Sequence, residues 1–384
     1  MSSHLSSSAA APLEDENLFP EILLRLPPQP SSLPRASLVC KRWCRLASNP
    51  GFLRHFRIHH RRSPPLLGCL VQDPDGISFL PTSEPLNRLP PGRFSLQFLL
   101  SNGFTLHDCR HGLVLMSDQM RRQFVVWDPV TGDQHRLPIP PGFDPRTTRI
   151  NGAVLRAAGD VKHFQLVFVA AYNHGVAAAA ACLYSSETGV WGNIVSTPIP
   201  FESDRGSALY QMFTFGTIST EPAVLVGDSI YWILANCSSG ILEFNFEMQR
   251  LAAIRVPHLY RDHFKLIKAD SGGLGLLHIS DFTMQVCNYD GVASWRLGRT
   301  IELDKLLPLN PYKDNIMLGA FAEENNMVFL WTLNGLYAIH LQSLEVKKLP
   351  ETTNISHYYP FESVNTTDVG GEHGRAELFA QCIR

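Results

Sequence analysis

Two patterns in the 384-residue sequence predict an α+β multidomain chain in which a small helical domain precedes an all-β propeller. Near the N-terminus, apolar residues recur at steps of three and four, which is the spacing of one helix face. Beyond about residue 62, short runs of β-branched and aromatic residues alternate with Gly, Pro, Asn and Asp, as in strands and turns. The predicted domains are a disordered tail over residues 1–12, a helical domain over residues 13–62 and a β domain over residues 63–384.

The charge is divided unevenly along the chain. Residues 1–65 carry nine Lys or Arg against four acids, whereas the remainder carries 24 bases and 31 acids. This asymmetry argues against a chain that binds nucleic acid along its whole length. It suits a helical domain that docks on an acidic partner, although a basic helix face can also be simply solvated.

The N-terminus and the cysteines indicate the compartment. The first eleven residues have neither the basic nor the apolar region of a signal peptide, and no apolar run is long enough to span a bilayer. The eight cysteines are scattered without the spacing of a disulfide framework. We therefore expect reduced thiols, a cytoplasmic or nuclear location and no contact with membranes.

The first predicted helix covers about residues 20–26. Pro20 has no amide hydrogen and should separate this helix from an opening turn, and Pro27-Pro28 should end it. A helix this short is unstable alone, so we expect it to pack on the next one.

The second predicted helix runs from Leu33 to Ser48, with Ser31 or Ser32 as its cap. One face is apolar and the other is basic, carrying Arg35, Lys41, Arg42 and Arg45. A third helix over about 50–60 begins after Asn49-Pro50 and places Phe52 and Phe56 one turn apart. Three short helices with so many large apolar residues leave surface that packs either on the β domain or on a partner's helices.

These helices carry a recognisable motif. Glu21-Ile22-Leu23-x-x-Leu26-Pro27, then Leu33, then Val39-Cys40-Lys41-Arg42-Trp43 and Arg45-Leu46-Ala47-Ser48 resemble the F-box motif over residues 13–57. The usual opening Leu-Pro is replaced by Leu13-Glu14-Asp15.

The resemblance implies binding to the Skp adaptor of Skp–cullin–F-box ubiquitin ligases. For Trp43 the alternative role is to fill the core of the helical domain itself. The residues that would contact the adaptor are Leu18, Pro20, Ile22, Leu23, Leu26, Pro27, Leu33, Ser37, Val39, Cys40 and Trp43.

A repeat in the β domain predicts its architecture. Six segments, spaced on average by about 52 residues, end in a Pro that follows an apolar residue or Thr. Four strands in about 50 residues, repeated radially, make a β-propeller, here with six blades. The alternatives are a pair of β-sandwiches or an open repeat array. The six pairs are Leu89-Pro90, Leu137-Pro138, Thr197-Pro198, Val256-Pro257, Leu307-Pro308 and Leu349-Pro350.

Five buried-looking runs and two clear hairpins support this repeat. The hairpins are 126–132 and 183–189, and each ends in a Gly suited to the left-handed position of a turn. The first blade, 66–90, is short, and the alternating segment 376–383 could complete it and close the ring. The runs are 112–116, 164–169, 229–234, 273–277 and 327–331.

The β domain resembles the F-box-associated domains of plant F-box proteins, which are propeller-like or kelch-related. The resemblance is carried by Cys109–Leu113, Val126–Gly132 and Gly227–Trp232. The sequence lacks the regular Gly-Gly pairs of kelch repeats and the recurring Gly-His of WD repeats.

Catalytic motifs are missing from the sequence. It contains no Gly-x-Ser-x-Gly elbow, phosphate loop or His-Glu-x-x-His. Cys40 and Cys44 have no second pair at zinc spacing, and the histidines at 55, 59 and 60 lie in a basic helix end. His107, Asp108 and His111 are interpreted as loop and strand-edge residues. We expect no catalytic residues, metal or cofactor.

The leading hypothesis is a non-catalytic substrate-recognition subunit of a Skp–cullin–F-box ubiquitin ligase. The helical domain would bind the adaptor and through it cullin, and the propeller would hold an unidentified target protein for ubiquitination and degradation. One alternative is a propeller enzyme or carbohydrate-binding module with an accessory helical head, which acids with shifted pKa values at the propeller mouth would favour. Another is an F-box protein that acts without ubiquitin transfer.

Overall fold

A computed structural model describes most of the chain, which divides into two compact units. The helical unit comprises residues 1–65, 83–89 and 363–384, and the propeller unit comprises 66–82 and 90–362. The predicted limits of the domains stay predictions, and the tail over residues 1–12 lies outside the described residues. These are 18–73, 76–89, 94, 103–143, 149–156, 162–173, 177–199, 217–235, 240–256, 264–291, 294–309, 315–350 and 357–364.

The described part of the helical unit contains four α-helices, one more than predicted. They are α1 (Leu18–Leu24), α2 (Ser32–Ser37), α3 (Lys41–Ala47) and α4 (Pro50–His60). Their buried core is formed mainly by Phe19, Leu23, Leu33, Phe52 and Phe56. Because each helix is too short to be stable alone, this shared core holds the unit together.

The extra helix arises because the predicted helix over residues 33–48 is divided. Cys40 is extended, with φ −162° and ψ 170°, and separates α2 from α3. The amides of Leu38 and Val39 donate to the carbonyls three residues earlier, each at 3.2 Å, which closes α2 as a tight turn. The carbonyl of Cys40 then accepts from the Cys44 amide at 2.9 Å and starts α3.

The outer helices differ from prediction in detail. Pro20 lies in the first turn of α1, where a missing amide hydrogen costs nothing, so the helix spans residues 18–24 and not 20–26. Helix α4 has the predicted bounds, and the Asn49 side chain accepts from the Phe52 amide at 3.1 Å. No side chain caps α2, because the Ser31 hydroxyl donates to Asn87 Oδ1 at 2.7 Å.

The propeller unit has the predicted six blades. In chain order the first three contain β1 (Leu66–Asp73) and β2 (Gly76–Pro81); β3 (Phe104–Arg110), β4 (Leu113–Asp118), β5 (Gln123–Trp127) and β6 (Gln134–Pro138); and β7 (Arg149–Leu155), β8 (Gln165–Asn173), β9 (Ala177–Ser185), β10 (Val190–Trp191) and β11 (Val195–Pro198). In blade 3, β10 and β11 both pair with β9.

The remaining blades follow the same antiparallel order. Blade 4 contains β12 (Thr217–Ile218), β13 (Val224–Val226), β14 (Ser229–Ala235), β15 (Gly240–Asn245) and β16 (Arg250–Arg255); blade 5 contains β17 (Phe264–Lys268), β18 (Leu274–Ser280), β19 (Thr283–Tyr289) and β20 (Trp295–Glu302); blade 6 contains β21 (Met317–Ala322), β22 (Met327–Thr332), β23 (Gly335–His340) and β24 (Val346–Lys348). A last strand, β25 (His357–Glu362), belongs to blade 1.

Strand β25 closes the ring. It pairs with β1, where Leu70 faces Tyr359, so strands from the two ends of the described β region share one blade. A later strand does complete the short first blade, but the pairing residues are 357–362. The segment 376–383 suggested by its alternation lies outside the described residues.

The repeat in the sequence corresponds to fixed positions in the blades. The five apolar runs lie in β4, β8, β14, β18 and β22, which are the second strands of their blades and face apolar layers on both sides. Pro138 and Pro198 end outermost strands, where a missing amide hydrogen breaks no ladder. Two of the six pairs differ. Leu89 belongs to the helical unit, and a 3-10 helix over Leu303–Lys305 separates Leu307-Pro308 from the end of β20.

The predicted hairpin turns are present. In the β5–β6 hairpin, the Asp128 amide donates to the Asp133 carbonyl at 3.0 Å and Gly132 has φ +82°. Gly189 closes the β9–β10 hairpin with φ +74°. Both positions lie in the left-handed region that glycine adopts without a steric cost. Among the described residues, no helix has the length and apolarity needed to cross a membrane.

Candidate functional site

An open groove of about 330 Å³ lies on the surface of the helical unit. Its walls come from α2, from α3 and from the two segments that join these helices to their neighbours. The break at Cys40 creates this groove, because it turns Val39 outward beside Trp43 instead of continuing the helix. The lining residues are Leu26, Ser31, Ser32, Arg35, Ala36, Val39 and Trp43.

Trp43 serves both the core and the groove. Its ring packs on Phe19 with centroids 5.2 Å apart, and the Arg42 guanidinium lies 5.1 Å from the centre of the same Phe19 ring. Trp43 is only half-buried and also lines the groove. The two roles considered for this side chain are therefore compatible.

The predicted adaptor-contact residues fall into two groups. Leu18, Pro27, Val39 and Cys40 are exposed, with Val39 at 62%, and Pro20, Ile22, Leu26 and Trp43 are partly exposed. Of these, the groove brings together Leu26, Val39 and Trp43. Contact by each remaining exposed residue stays a prediction.

The second group requires a correction. Leu23, Leu33 and Ser37 are buried, and Leu23 is fully enclosed. The Ser37 hydroxyl is used internally, since it donates to the Pro34 carbonyl at 2.6 Å. These three residues support the groove from beneath, because helix packing has already covered their side chains.

Sequence reasoning missed four residues of this surface. Leu38 is 44% exposed beside Val39, and Ser31, Ser32 and Arg35 line the groove. A continuous helix would also have placed Leu38 opposite the apolar face, on the solvent side, whereas the break turns its neighbour Val39 outward as well. The sequence signal for the break was the presence of two weak helix formers, Ser37 and Cys40, on either side of Leu38-Val39.

The histidines of α4 form no metal site. His60 Nε2 donates to the Leu24 carbonyl at 2.8 Å, and its ring lies 4.5 Å from that of Phe56. Burial lowers the pKa of His60, so the neutral imidazole is favoured. Within the described residues, no group of three or more His, Cys, Asp or Glu side chains could hold a metal ion.

A second polar cluster lies on the propeller axis. It is organised around residues 219–225, here named the axial segment, which runs from the end of β12 into the first two residues of β13 in blade 4. Asn151 of blade 3 donates to the carbonyls of Ser219 and Glu221 at 2.7 and 3.1 Å. The Tyr359 hydroxyl of blade 1 lies 3.0 Å from the Thr220 carbonyl.

The other three blades also contact the axial segment. Arg110 of blade 2 donates to the Ala223 carbonyl at 2.6 Å and to both carboxylate oxygens of Glu323 in blade 6, at 2.6 and 2.9 Å. Glu323 also accepts from the Leu225 amide at 3.4 Å. Lys265 of blade 5 forms an ion pair with Glu221. A segment that contacts all five other blades lies close to the axis of the ring.

The carboxyl groups of this cluster are buried and paired. Burial raises the pKa of Glu323 to about 7 and also raises the pKa of Asp108, although Arg110 opposes both shifts. Asp108 Oδ2 accepts from the Val154 amide at 2.9 Å, and its Oδ1 has no hydrogen-bond partner among the described residues. Because Arg110 pairs with Asp108 in blade 2 and with Glu323 in blade 6, this ion-pair cluster joins two blades.

The sequence prediction for two residues near this cluster is wrong in part. His107 and Asp108 lie on β3, an edge strand of its sheet, and are at most 4% exposed, so they are buried strand residues and not loop residues. His107 Nε2 lies 2.8 Å from the Ser117 hydroxyl, and burial lowers the pKa of this histidine to about 4. Asp108 and Arg110 two residues apart on an apolar strand were the available signal, because alternate residues share one face.

Comparison with protein families identifies both the propeller and the helical unit. Residues 105–364 match the family described as F-box protein AT5G49610-like, beta-propeller, and residues 17–59 match the F-box-like family. The chain belongs to this family of F-box proteins. The helical unit of this F-box protein is its F-box, and F-box domains generally bind Skp-type adaptors. An F-box joined to a propeller is the organisation of a substrate adaptor.

Similar solved structures are distant from this F-box protein. A periplasmic gluconolactonase from Pseudomonas aeruginosa is 14% identical, with 73% of this chain and 81% of that chain covered and a TM-score of 0.40. A Lactobacillus plantarum protein is 11% identical, with 74% and 81% covered and a TM-score of 0.43. A chain of a nidogen/laminin complex is 10% identical, with 76% and 96% covered and a TM-score of 0.40. Comparison with curated proteins gives no significant match.

Proposed function

We propose that this F-box protein is the substrate-recognition subunit of a Skp–cullin–F-box ubiquitin ligase. The F-box would bind a Skp-family adaptor and through it cullin, and the propeller would hold a target protein for ubiquitination and degradation. The observation that supports this most directly is the apolar groove around Val39 and Trp43 on the F-box. In this role the protein would act in the cytoplasm or nucleus.

The exposed apolar side chains supply the energy for docking. Val39, Leu18 and Leu38 are 62, 48 and 44% exposed, and covering each would contribute about 1 kcal/mol from apolar burial. Trp43 at the groove is the residue type that most often dominates interface energetics. Because the packing on Phe19 already orders Trp43, little side-chain entropy remains to be lost on binding.

The proposed mechanism is proximity without catalysis by this chain. Holding the target beside a ubiquitin-conjugating enzyme raises its effective concentration and makes the transfer effectively intramolecular. The bond-making residues would then belong to the partner subunits.

One observation favours the alternative of a propeller enzyme or carbohydrate-binding module. The carboxyl groups of Asp108 and Glu323 have raised pKa values, which is frequent at active sites. Arg110 pairs with both carboxylates, and both are buried beside the axial segment. A structural ion-pair cluster explains these features without substrate, so this alternative is the weaker proposal.

Adaptor binding tests the proposal with full-length protein. Val39→Asp places a charge in the groove at an exposed position, and we expect it to weaken binding to a purified Skp-family adaptor at least about tenfold, or about 1.4 kcal/mol. Leu333→Asp is the matched control, because Leu333 is 70% exposed in the propeller unit. Leu23→Asp is unsuitable, since a charge at that buried position would unfold the F-box.

Two results would overturn the proposal. One is a wild-type protein that binds no Skp-family adaptor, and the other is a Val39→Asp protein that binds as tightly as wild type. Reconstitution with cullin, a ubiquitin-conjugating enzyme and captured target then tests ubiquitin transfer. Adaptor binding without transfer would favour an F-box protein that acts outside ubiquitination.

A further inference from the structure

The helical unit is assembled from three separate stretches of the chain. Besides residues 1–65, it contains 83–89, which lie shortly after β2, and 363–384, which directly follow β25. The match to the F-box-like family covers residues 17–59. The F-box unit therefore includes residues that its motif does not contain, and both added stretches follow strands of blade 1.

The later stretch contributes to the F-box core. Val364 is 7% exposed and belongs to the buried cluster that contains Leu23 and Phe56. Just before it, the Ser363 amide donates to the Pro65 carbonyl at 3.2 Å. This bond continues the antiparallel pairing of β1 with β25 past the ends of both strands. The chain therefore passes from the ring-closing strand into the F-box core within two residues.

The earlier stretch holds the beginning of α2. Asn87 lies in a 3-10 helix, and its Oδ1 accepts from the Ser31 amide at 3.3 Å and from the Ser31 hydroxyl at 2.7 Å. Ser31 is the N-cap residue of α2 and lines the groove. Leu89, at the end of the same stretch, is 5% exposed. The start of α2 is therefore fixed by a residue that follows β2 and lies outside the motif.

The F-box unit is too small to lose a core residue without effect. Domains of about 60 residues bury only about 60% of the surface that their unfolded chains expose. Withdrawal of Val364 would leave a void among the helices, and packed cores relax only partly around a void. Two residues span at most about 7 Å, so Val364 cannot keep its place if β25 separates from β1 and moves away. Order in the F-box therefore depends on the pairing that closes the ring.

We infer that the F-box core and the ring-closing strand β25 fold as one cooperative unit, so that the F-box is complete only when the propeller is closed. The coupling acts in both directions, since opening of β25 withdraws Val364 and a ligand bound to the F-box holds β25 in place. β25 is the last described strand in chain order, so a chain with an unfinished propeller also lacks a finished F-box. The coupling stands without an identified partner, whereas its use to keep unclosed chains from the adaptor rests on the proposed function.

Native-state hydrogen exchange of the full-length protein tests the coupling residue by residue. Val364→Ala removes two methyl groups from the F-box core, and we expect the protection of the α1 and α4 amides to fall about tenfold. Val346→Ala is the matched control, because Val346 is 37% exposed on β24, and it should change protection less than about twofold. Unchanged protection of α1 and α4 in Val364→Ala would overturn the inference.

A second variant loosens the ring from the propeller side. Phe361→Ala creates a cavity at β25, where Phe361 is fully enclosed, and should accelerate exchange in β25, α1 and α4 together, each at least about tenfold. Phe168→Ala, at an equally enclosed position of β8 in blade 3, should accelerate exchange in that blade and leave α1 and α4 near wild type. If α1 and α4 keep wild-type protection in Phe361→Ala, or lose it equally in both variants, the inference is wrong.

The adaptor provides the reverse measurement. A saturating concentration of a purified Skp-family adaptor should slow the exchange of the Tyr358, Tyr359 and Phe361 amides at least about tenfold, because it binds only the closed form. The amides of β8 should exchange as before. Adaptor binding that leaves exchange in β25 unchanged would overturn the coupling alone. Absence of adaptor binding would overturn the proposed function, while exchange in Val364→Ala and Phe361→Ala still decides the coupling.

Discussion

The two units of this F-box protein use charged residues in opposite ways. In the F-box, basic side chains lie mostly at the surface and surround an apolar groove. At the propeller axis, Arg110, Asp108 and Glu323 are buried and paired with one another and with the axial segment. The comparison separates buried charge, which joins parts of the fold, from exposed charge, which faces solvent. Substitutions in each unit test that division.

Removing Arg110 should have the largest effect on stability. Arg110→Ala leaves the buried carboxyl groups of Asp108 and Glu323 without their cation and removes a bond to the axial segment. We expect a loss of about 3–5 kcal/mol in the free energy of unfolding, measured by urea denaturation. Arg250→Ala, at an exposed position, should change stability by less than about 0.5 kcal/mol. A loss under about 1 kcal/mol for Arg110→Ala would contradict a joining role for the cluster.

Substitutions at two leucines of the F-box should distinguish a side chain that stabilises the core from one that contacts the adaptor. Leu23→Ala creates a cavity in the core and should cost about 2–5 kcal/mol in stability. Leu38→Ala, at an exposed position, should leave stability nearly unchanged but weaken adaptor binding several-fold. Thermal unfolding and adaptor affinity, measured on the same samples, provide the test. If Leu38→Ala destabilised the protein as much as Leu23→Ala, Leu38 would belong to the core.

Substitution of Tyr359 measures how much its hydroxyl group contributes to the free energy of unfolding. Its hydroxyl lies 3.0 Å from the carbonyls of both Leu106 and Thr220. Tyr359→Phe leaves these carbonyls without this partner and should cost about 1–2 kcal/mol in urea denaturation. Tyr337→Phe is the control, because the contact seen for Tyr337 is between its ring and Lys348. Equal effects of the two substitutions would argue that the axial segment does not depend on Tyr359.

The pH dependence of stability reports on the protonation of Glu323. Burial raises the pKa of Glu323 to about 7 from an ordinary value of 4.5, so folding favours the protonated carboxyl. The stability from this group is complete below about pH 4.5 and is lost as the pH rises through 7. Asp108 and Glu362 reinforce the shift and Arg110 opposes it.

Glu323→Gln isolates this contribution. The difference in unfolding free energy between wild type and Glu323→Gln should change between pH 5 and pH 8 in the direction that favours wild type at the lower pH. Because His107 has a lowered pKa and titrates in both proteins, its opposite contribution cancels in the difference. A difference that is constant with pH would mean that Glu323 is already ionised throughout this range.

Local patterns account for what could be predicted from the sequence. The F-box, the six blades, the bounds of α4 and the Gly-closed hairpins all follow from residues close together in the chain. The five apolar runs became second strands because a strand covered on both faces needs a continuous apolar sequence. These features depend on spacing and turn chemistry, which a single sequence displays directly.

Tertiary contacts decided the features that matter for function. The break at Cys40 depends on how α2 and α3 share a core, and it turns Val39 outward beside Trp43. The axial segment is held by residues from five other blades, and Arg110 and Glu323 are 213 positions apart in the chain. Local sequence patterns therefore predict which elements form and to which family the chain belongs. Only the folded ring could bring distant charges together, because ion pairs of this kind depend on closure and not on local propensity.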